Sequence, residues 1–382
     1  MAADARPLVV YGPGSSTYDF GDFHPLTPRR FGPGIDLLRS HGADRFLEPQ
    51  PATDAELERL HSADYVAAVR RFSADPRRPP ERGIGPGDDP AFAGMHEAGA
   101  TVAGGSLAAM GLILAGDVRH AFHPGGGLHH AMAGRASGFC IYNDVALAVA
   151  RARDAGERVL YVDLDVHHGD GIQLLFWDDP GVLTISIHES GDTLFPGTGE
   201  VTERGGRAAL GTKVNLPMFI GSGDGSWIAA LEAVLPAAVE AFGPTVLVTQ
   251  HGCDSHLLDP LAHLRLTTRA YARATSLLHA VAHDACGGRW LATGGGGYDS
   301  YRVVPRSWAI VWLTQAHRAL PVATPEAWRA RWAAEADRWH QAPPPEALLD
   351  APDYAGPEPE AIAAANAQTV DEAIEGLLRR PR

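Results

Sequence analysis

Lysine and cysteine are both scarce in this chain of 382 residues. Lys213 is the only lysine, and every other basic residue is arginine. The three cysteines, Cys140, Cys253 and Cys286, are odd in number and widely spaced. This pattern argues against a disulfide framework and against a cysteine-based zinc site, and it is typical of a reducing compartment. We therefore expect a cytoplasmic protein.

An excess of positive charge is also absent, because the formal net charge is −14. Nucleic acids bind basic surfaces, so the sequence predicts no nucleic-acid partner. Acidity serves solubility first, and it would also steer cationic substrates such as lysine-rich protein segments or polyamines. We find no charge-free apolar run long enough for a bilayer and no secretion signal in Met1–Pro13, so we expect neither a membrane protein nor a secreted one.

Short apolar runs alternate with alanine-rich helical stretches along the chain. The predicted strands are Leu8–Tyr11, Val159–Val162, Val182–His188, Val246–Gln250 and Trp290–Thr293. The predicted helices are His96–Ala115, Val145–Ala155, Ser226–Ala241, Thr268–Ala285 and Ser307–Ala319. This alternation predicts an α/β fold, a single-domain open parallel sheet sandwiched by helices. Polar clusters follow four of these strands, where such sheets bind their ligands.

Composition changes near Leu320, beyond which the chain is rich in proline, alanine and glutamate. We predict a catalytic domain over residues 1–320 and a C-terminal extension over 321–382 that packs on the same domain and ends in a short helix near Val370–Arg379. Two segments rich in glycine or proline, 75–90 and 192–207, are predicted surface loops.

The most informative segment is Asp163–Gly171, which follows an apolar strand and reads DLDVHHGDG. Three carboxylates and two imidazoles at the end of a buried strand are costly unless a cation or a hydrogen-bond network compensates them. Asp165 and His167 are two residues apart, so an extended chain points both to one side. A carboxylate and an imidazole on one side form half of a divalent metal site.

Three further clusters complete the pattern. Gly125–Ala131 carries two adjacent histidines after three glycines, suited either to acid–base chemistry or to metal binding, or simply to a solvated loop. Gln250–His256 offers Asp254 as a third metal ligand, which would leave one coordination position open. Such an oxygen-rich set would take Zn²⁺ and tolerate Fe²⁺ or Co²⁺. Gly294–Tyr298 could bring a tyrosine hydroxyl to a developing oxyanion, and no Lys-Ser/Thr pair follows to make a phosphate loop.

Together these motifs resemble the histone-deacetylase-like metal amidohydrolases, and most closely the class I-like bacterial deacetylases of the acetoin-utilisation type. The matching segments occur in family order over roughly residues 8–310: HPLTPRR (24–30), GGLHHA (126–131), SGFCIYND (137–144), DLDVHHGDG (163–171), FPGTG (195–199), GCDS (252–255), HLLDPL (256–261) and GGGGY (294–298). The resemblance implies the arginase/deacetylase fold. It also implies removal of acetyl or other acyl groups from Nε-acyl-lysine side chains of proteins.

The resemblance further implies a role for each site residue. The metal ligands would be Asp165, His167 and Asp254. The catalytic residues would be His130 as general base and acid oriented by Asp170, His129 as its electrostatic partner bonded to Asp163, and Tyr298 as oxyanion stabiliser. The tunnel and rim residues would be Phe139, Phe195, Gly138, Leu261, Asp88 and Arg30. A structural K⁺ ion would be held by Asp163, Ser186 and the backbone of Asp165, His167 and Ile187.

Two alternatives stay open on the sequence. A second K⁺ site near Phe176–Val182 would require side chains that this chain lacks at Asp179 and Thr212. A small-molecule amidohydrolase such as an acetylpolyamine deacetylase would use the same chemistry, although that branch usually narrows the entrance with an inserted loop that we do not find here. Two other possibilities are disfavoured. An arginase-like enzyme would need further aspartate ligands, and a binding module without activity would not need every catalytic position filled.

Overall fold

Eight parallel strands form one sheet in the computed structural model, which describes residues 6–377. The strands are β1 (Leu8–Val10), β2 (Phe46–Leu47), β3 (His120–His123), β4 (Val159–Asp163), β5 (Val182–Glu189), β6 (Lys213–Met218), β7 (Val246–Gln250) and β8 (Trp290–Thr293). Their order across the sheet is β2-β1-β3-β8-β7-β4-β5-β6. All of these strand pairs are parallel, so the predicted open parallel sheet is confirmed.

Successive strand residues alternate between two hydrophobic clusters, one on each face of the sheet. In β4, Leu160 and Val162 belong to one cluster, while Val159 and Tyr161 belong to the other. All four side chains are almost fully buried. Because both faces are covered, these strands are continuous apolar runs rather than half-polar ones, as expected for a parallel sheet between helical layers.

The helices supply those two layers. They are α1 (Phe31–Ser40), α2 (Asp54–Leu57), α3 (Ala63–Ala74), α4 (Met95–Ala115), α5 (Asp144–Asp154), α6 (Asp170–Leu175), α7 (Asp224–Phe242), α8 (Thr268–Asp284), α9 (Val304–Gln315), α10 (Glu326–Arg338) and α11 (Glu360–Gly376). Short 3₁₀ turns occupy Pro13–Thr17, Pro28–Arg30 and Arg207–Ala209. Helices α1, α7, α8 and α9 contribute to the cluster that contains Leu160, and α4 and α5 contribute to the other.

The C-terminal segment contacts the rest of the domain through two helices. The indole nitrogen of Trp328 in α10 donates to the Pro33 carbonyl oxygen in α1 at 2.9 Å. Helix α11 packs against α7 and β6. This last helix is longer than expected, and residues 378 and 379 of the predicted Val370–Arg379 helix lie outside the described residues. The domain boundary near residue 320 stays a prediction.

Two helices correct one expectation from the sequence. Both α4 and α7 are long and apolar enough, by length and composition alone, to cross a membrane. The apolar stretch of α4 was missed in the sequence because alanine and glycine residues separate its larger apolar side chains. In the fold, the apolar window of α4 is 67% buried and packs on α5 and the sheet. Core helices of soluble proteins pass the same test, and the packing of α4 is of that kind.

The strand register aligns the carboxyl ends of the central strands. His123 pairs with Thr293, Thr293 with Gln250, and Gln250 with Asp163. Asp163 in turn pairs with Ser186 in β5. The polar segments that follow β3, β4, β7 and β8 therefore start side by side at one edge of the sheet, which explains why residues far apart in sequence meet there.

Candidate active site

Asp165, His167 and Asp254 converge at this edge of the sheet. Their ligand atoms all lie within 4.8 Å of one another, and all three residues are buried. The Nδ1 atom of His167 is 3.0 Å from Oδ1 of Asp165 and 3.2 Å from Oδ2 of Asp254. The three residues predicted as metal ligands are thus brought together.

The chemistry of this donor set fits a divalent cation. Burial alone would lower the pKa of His167, but hydrogen bonds to Asp165 and Asp254 outweigh it and raise the pKa to about 10. The imidazole therefore keeps a proton between two carboxylates. A metal ion bound by the same atoms would displace that proton and compensate both carboxylates. Two oxygens and one nitrogen from the protein would leave a coordination position for a reacting group.

Two histidine–aspartate pairs stand beside the metal-ligand set. Nδ1 of His129 lies 2.7 Å from Oδ2 of Asp163, and Nδ1 of His130 lies 2.7 Å from Oδ1 of Asp170. The Nε2 atoms of the two rings are 3.0 Å apart. All four side chains are buried.

Their surroundings drive the two imidazoles in opposite directions. Burial opposes charge on His129, but Asp163 and Asp165 prevail and raise its pKa to about 9. Burial and then the neighbouring charge of His129 lower the pKa of His130 to about 4, despite the hydrogen bond to Asp170. Near pH 7, His129 is therefore the cation and His130 is the neutral ring. Two titratable groups with pKa values driven apart are typical of divided acid–base roles.

Tyr298 lies across the cavity on the glycine-rich segment after β8. Its backbone N–H donates to Oδ2 of Asp259 at 3.0 Å. Burial, followed by the charges of Asp254 and Asp165, holds the pKa of the Tyr298 hydroxyl well above its usual value. The hydroxyl therefore stays protonated and can donate a hydrogen bond.

Close packing explains two of the glycines in the motifs. A Cβ on Gly296 would overlap Oδ2 of Asp254 and would lie 2.9 Å from Oδ2 of Asp165. A Cβ on Gly138 would overlap the ring of His130 and would lie 2.9 Å from Cε1 of Phe195. Only glycine lets the backbone pass this close to the carboxylates of Asp165 and Asp254 and to the ring of His130.

A narrow cavity of ≈ 290 Å³ connects these groups to the surface. Its lining includes Leu26, His130, Gly138, Phe139, Asp165, His167, Gly296 and Tyr298. The rings of Phe139 and Tyr298 meet edge to face at 5.9 Å, and those of Phe195 and His130 at 5.1 Å. Phe195 is 42% exposed and is not among the lining residues of the cavity, although its ring also lies 6.3 Å from that of His167.

The remaining predicted substrate-contacting residues are more dispersed. Asp88 is exposed, and its carbonyl oxygen is 3.1 Å from Nε2 of His24. Leu261 is not among the lining residues of the cavity, and its N–H donates to Asp259. Arg30 lines an adjacent cavity of ≈ 280 Å³ and donates to the Gly295 carbonyl oxygen at 2.6 Å.

The residues predicted for K⁺ lie just behind the metal-ligand set. Asp163 ends β4 and pairs in register with Ser186, the neighbour of Ile187 in β5. In the region of the doubtful second K⁺ site, the Lys213 ammonium donates to the Val182 carbonyl oxygen at 2.7 Å. The side chain of Lys213 therefore already contacts that carbonyl.

Sequence reasoning missed several supporting residues. Gln250 donates to Oδ2 of Asp165 at 2.6 Å, and Tyr161 donates to Oδ2 of Asp163 at 2.5 Å. Asp144 accepts the N–H groups of Gly127 and Leu128, which fixes the segment before His129. Asp144 lies in one of the matching motifs, and its polarity at the start of a buried helix was a signal that could have been used.

Comparison with known proteins agrees with this geometry. The model of the histone deacetylase domain matches residues 24–315. The chain belongs to the histone deacetylase family. Relatives in this family include the acetoin utilization protein AcuC of Bacillus subtilis, which is 40% identical to this chain over an alignment that covers 97% of each protein. AcuC of Staphylococcus aureus strain MSSA476 is 38% identical over 81% of this chain and 82% of its own length.

Solved structures from the histone deacetylase family confirm the arginase/deacetylase fold. A crystal structure of an HDAC homolog complexed with SAHA has a TM-score of 0.83 and 29% identity, covering 97% of this chain and 99% of the other. The HDAC homolog from Aquifex aeolicus has a TM-score of 0.81 and 27% identity, covering 96% and 99%. The protein is therefore a hydrolase of the histone deacetylase family, of the acetoin-utilisation type.

Proposed function

We propose that this protein is a zinc-dependent deacetylase that hydrolyses Nε-acyl-lysine side chains of cytoplasmic proteins and releases acetate. One observation carries the proposal: Asp165, His167, His130 and Tyr298 line the same narrow cavity, and Asp254 brings a third ligand atom within 4.8 Å of those of Asp165 and His167. A lysine side chain with its acyl group is long, thin and mostly apolar, which suits a passage flanked by phenylalanine rings.

The roles of the residues follow from their chemistry. A divalent metal held by Asp165, His167 and Asp254 would polarise the amide carbonyl and make water more acidic. Nε2 of His130 accepts a proton from the attacking water and returns it to the leaving amine. The Tyr298 hydroxyl donates to the oxyanion that develops on the substrate. His129 contributes positive charge beside this site.

Asp170 keeps the proton of His130 on Nδ1, so that Nε2 faces the cavity with a lone pair. Gly138 lets the segment that carries Phe139 approach His130, and Phe139 and Phe195 flank the lysine methylenes. Asp88 at the rim holds the substrate backbone, with Leu261 nearby, and Arg30 borders the acetate exit. A K⁺ ion held by Asp163, Ser186 and the backbone of Asp165, His167 and Ile187 would support the metal-binding segment.

The test compares two substrate classes on one preparation. The zinc-reconstituted protein is assayed on an acetyl-lysine peptide and on N-acetylated polyamines, with a chelator-treated sample and the His130→Ala variant as controls. Turnover of the peptide that is lost in both controls supports the proposal. Preference for the polyamines would assign the protein to the small-molecule branch, and turnover that survives in His130→Ala would refute the mechanism.

A further inference from the structure

Four histidines converge at the end of the sheet opposite the cavity. His120 begins β3, His279 and His283 lie one turn apart on α8, and His317 follows α9 by two residues. One ring nitrogen from each can be chosen so that all four lie within 4.8 Å of one another. The register places His120 beside Trp290, the first residue of β8, so this cluster lies at the amino ends of β3 and β8, whose carboxyl ends lead to His130 and Tyr298.

The Nε2 atom of His120 has a lone pair that could bind a metal ion. Its Nδ1 atom lies 2.8 Å from the Gln315 carbonyl oxygen, which can only accept, so Nδ1 carries the ring proton. Nε2 is then left with a lone pair. It is buried, the residue is only 3% exposed, and Nε2 has no hydrogen-bond partner among residues 6–377. Metal-bound histidines commonly have their other nitrogen fixed to a carbonyl in this way.

The other three rings approach this nitrogen from solvent. The Nε2 atoms of His279 and His283 are 3.1 Å apart, close to the about 3.3 Å that bonds of about 2.0–2.1 Å give between ligands in a tetrahedral zinc site. The ring of His317 lies 4.7 Å from that of His279 and 5.1 Å from that of His283. His317 has a φ of 55°, a left-handed conformation that is uncommon outside glycine and asparagine.

The charged groups around the cluster do not explain why four histidines lie together. No carboxylate belongs to the cluster itself, and the two charged neighbours of His283, Asp284 and Arg119, bear opposite signs. Protonated rings at these distances would repel one another, whereas neutral rings offer lone pairs to a shared cation.

We propose that His120, His279, His283 and His317 bind one divalent transition-metal ion of the zinc class. An all-imidazole set favours Zn²⁺, Co²⁺, Ni²⁺ or Cu²⁺ over Mg²⁺ or Ca²⁺. Four protein ligands close a tetrahedral site, so the ion is structural rather than catalytic. It ties the end of α8 to the start of β3 and to the turn after α9, and it does not depend on the function proposed for the cavity.

The test counts metal ions in the full chain, purified without a histidine tag and stripped with a chelator. After loading with Zn²⁺ and dialysis, the wild type should retain two equivalents per chain. The His279→Ala/His283→Ala variant should retain one, the Asp165→Asn variant should retain one, and their combination should retain none. The exposed His340 belongs to no such cluster within residues 6–377, and it provides the control His340→Ala, which should retain two equivalents.

A spectroscopic measurement separates a four-ligand site from adventitious binding to a helical histidine pair. Co²⁺ bound to the Asp165→Asn variant should give the intense visible bands of a tetrahedral complex, and His317→Gly should abolish them while the circular dichroism of the fold is kept. The proposal is overturned if the double histidine variant retains as much zinc as the wild type. It is also overturned if His317→Gly leaves the Co²⁺ bands unchanged.

Discussion

The only lysine of the chain is buried, and its burial has a measurable effect on stability. Lys213 is 1% exposed, and its ammonium donates to the Val182 carbonyl oxygen and to Oγ1 of Thr212 at 2.9 Å. Burial lowers the pKa of Lys213 from 10.5 to about 7, against the weaker opposing effects of Asp179 and Asp178. The folded protein therefore releases this proton far more readily than the unfolded chain does.

The direction of the pH effect follows from this difference. Below pH 7 the lysine is protonated in both states, and above pH 10.5 it is neutral in both. Between these values the unfolded chain binds the extra proton, so the free energy of unfolding rises with pH. Each pKa unit corresponds to about 1.4 kcal/mol, so the decrease from 10.5 to about 7 changes the free energy of unfolding by about 5 kcal/mol over the whole pH range. About 3 kcal/mol of this change falls between pH 7 and 9.5.

Lys213→Met is the appropriate perturbation, because methionine keeps an unbranched chain but cannot titrate. Urea unfolding of both proteins between pH 6 and 9.5 gives the two free energies, and their difference removes the titration of all other groups. We expect that difference to change by about 3 kcal/mol in favour of the wild type from pH 7 to 9.5. A difference that does not vary with pH would refute the reasoning. An NMR titration of labelled lysine, which reports a single side chain here, should give a midpoint near 7 rather than 10.5.

Three further predictions concern the cavity. Tyr298→Phe should reduce kcat by about 10²–10³-fold, the loss typical of one oxyanion donor, with zinc content and Tm unchanged; an active variant would exclude this role. Asp170→Asn should reduce kcat by about 10²–10⁴-fold because an amide can donate to Nδ1 of His130 as well as accept from it, so the tautomer is no longer fixed; a wild-type pH–rate profile would argue against this role. Gly296→Ala should weaken zinc affinity by about 10–100-fold, because the added methyl group would displace the carboxylates of Asp165 and Asp254. Chelator competition measures this affinity. The control is Gly14→Ala, whose new methyl group meets nothing closer than 3.4 Å.

The buried strands and the polar segments after them could be predicted from the sequence because each is a local pattern. Val159–Asp163 is a continuous apolar run that ends in carboxylates, and such a run has one stable place in an α/β fold. Three strands were missed: β2 is only the two residues Phe46–Leu47, and the other two do not read as apolar. β6 contains Lys213, Asn215 and Pro217, and β3 begins and ends with histidine. Their polar side chains find partners only in the folded protein.

Supporting contacts were out of reach for the same reason. Asp259 fixes the backbone of Tyr298 across 39 positions of sequence, and nothing in the DPL segment indicates that contact. His279 and His283 form an i, i+4 pair that the sequence does show, but His120 and His317 join them only through the packing of α8 and α9 on the sheet. Only tertiary structure distinguishes a solvated pair of histidines from a set of four ligands.

The two ends of the sheet differ in what a chelator would remove. At the cavity, three protein ligands leave a position for a reacting group, so loss of that ion should abolish turnover directly. At the opposite end, four histidines would close the site, so loss of that ion should lower Tm and reduce activity only as the fold weakens. In His279→Ala/His283→Ala, a chelator should therefore still stop turnover while its effect on Tm becomes smaller. An equal decrease of Tm in the variant and the wild type would assign the stabilising ion to the cavity instead.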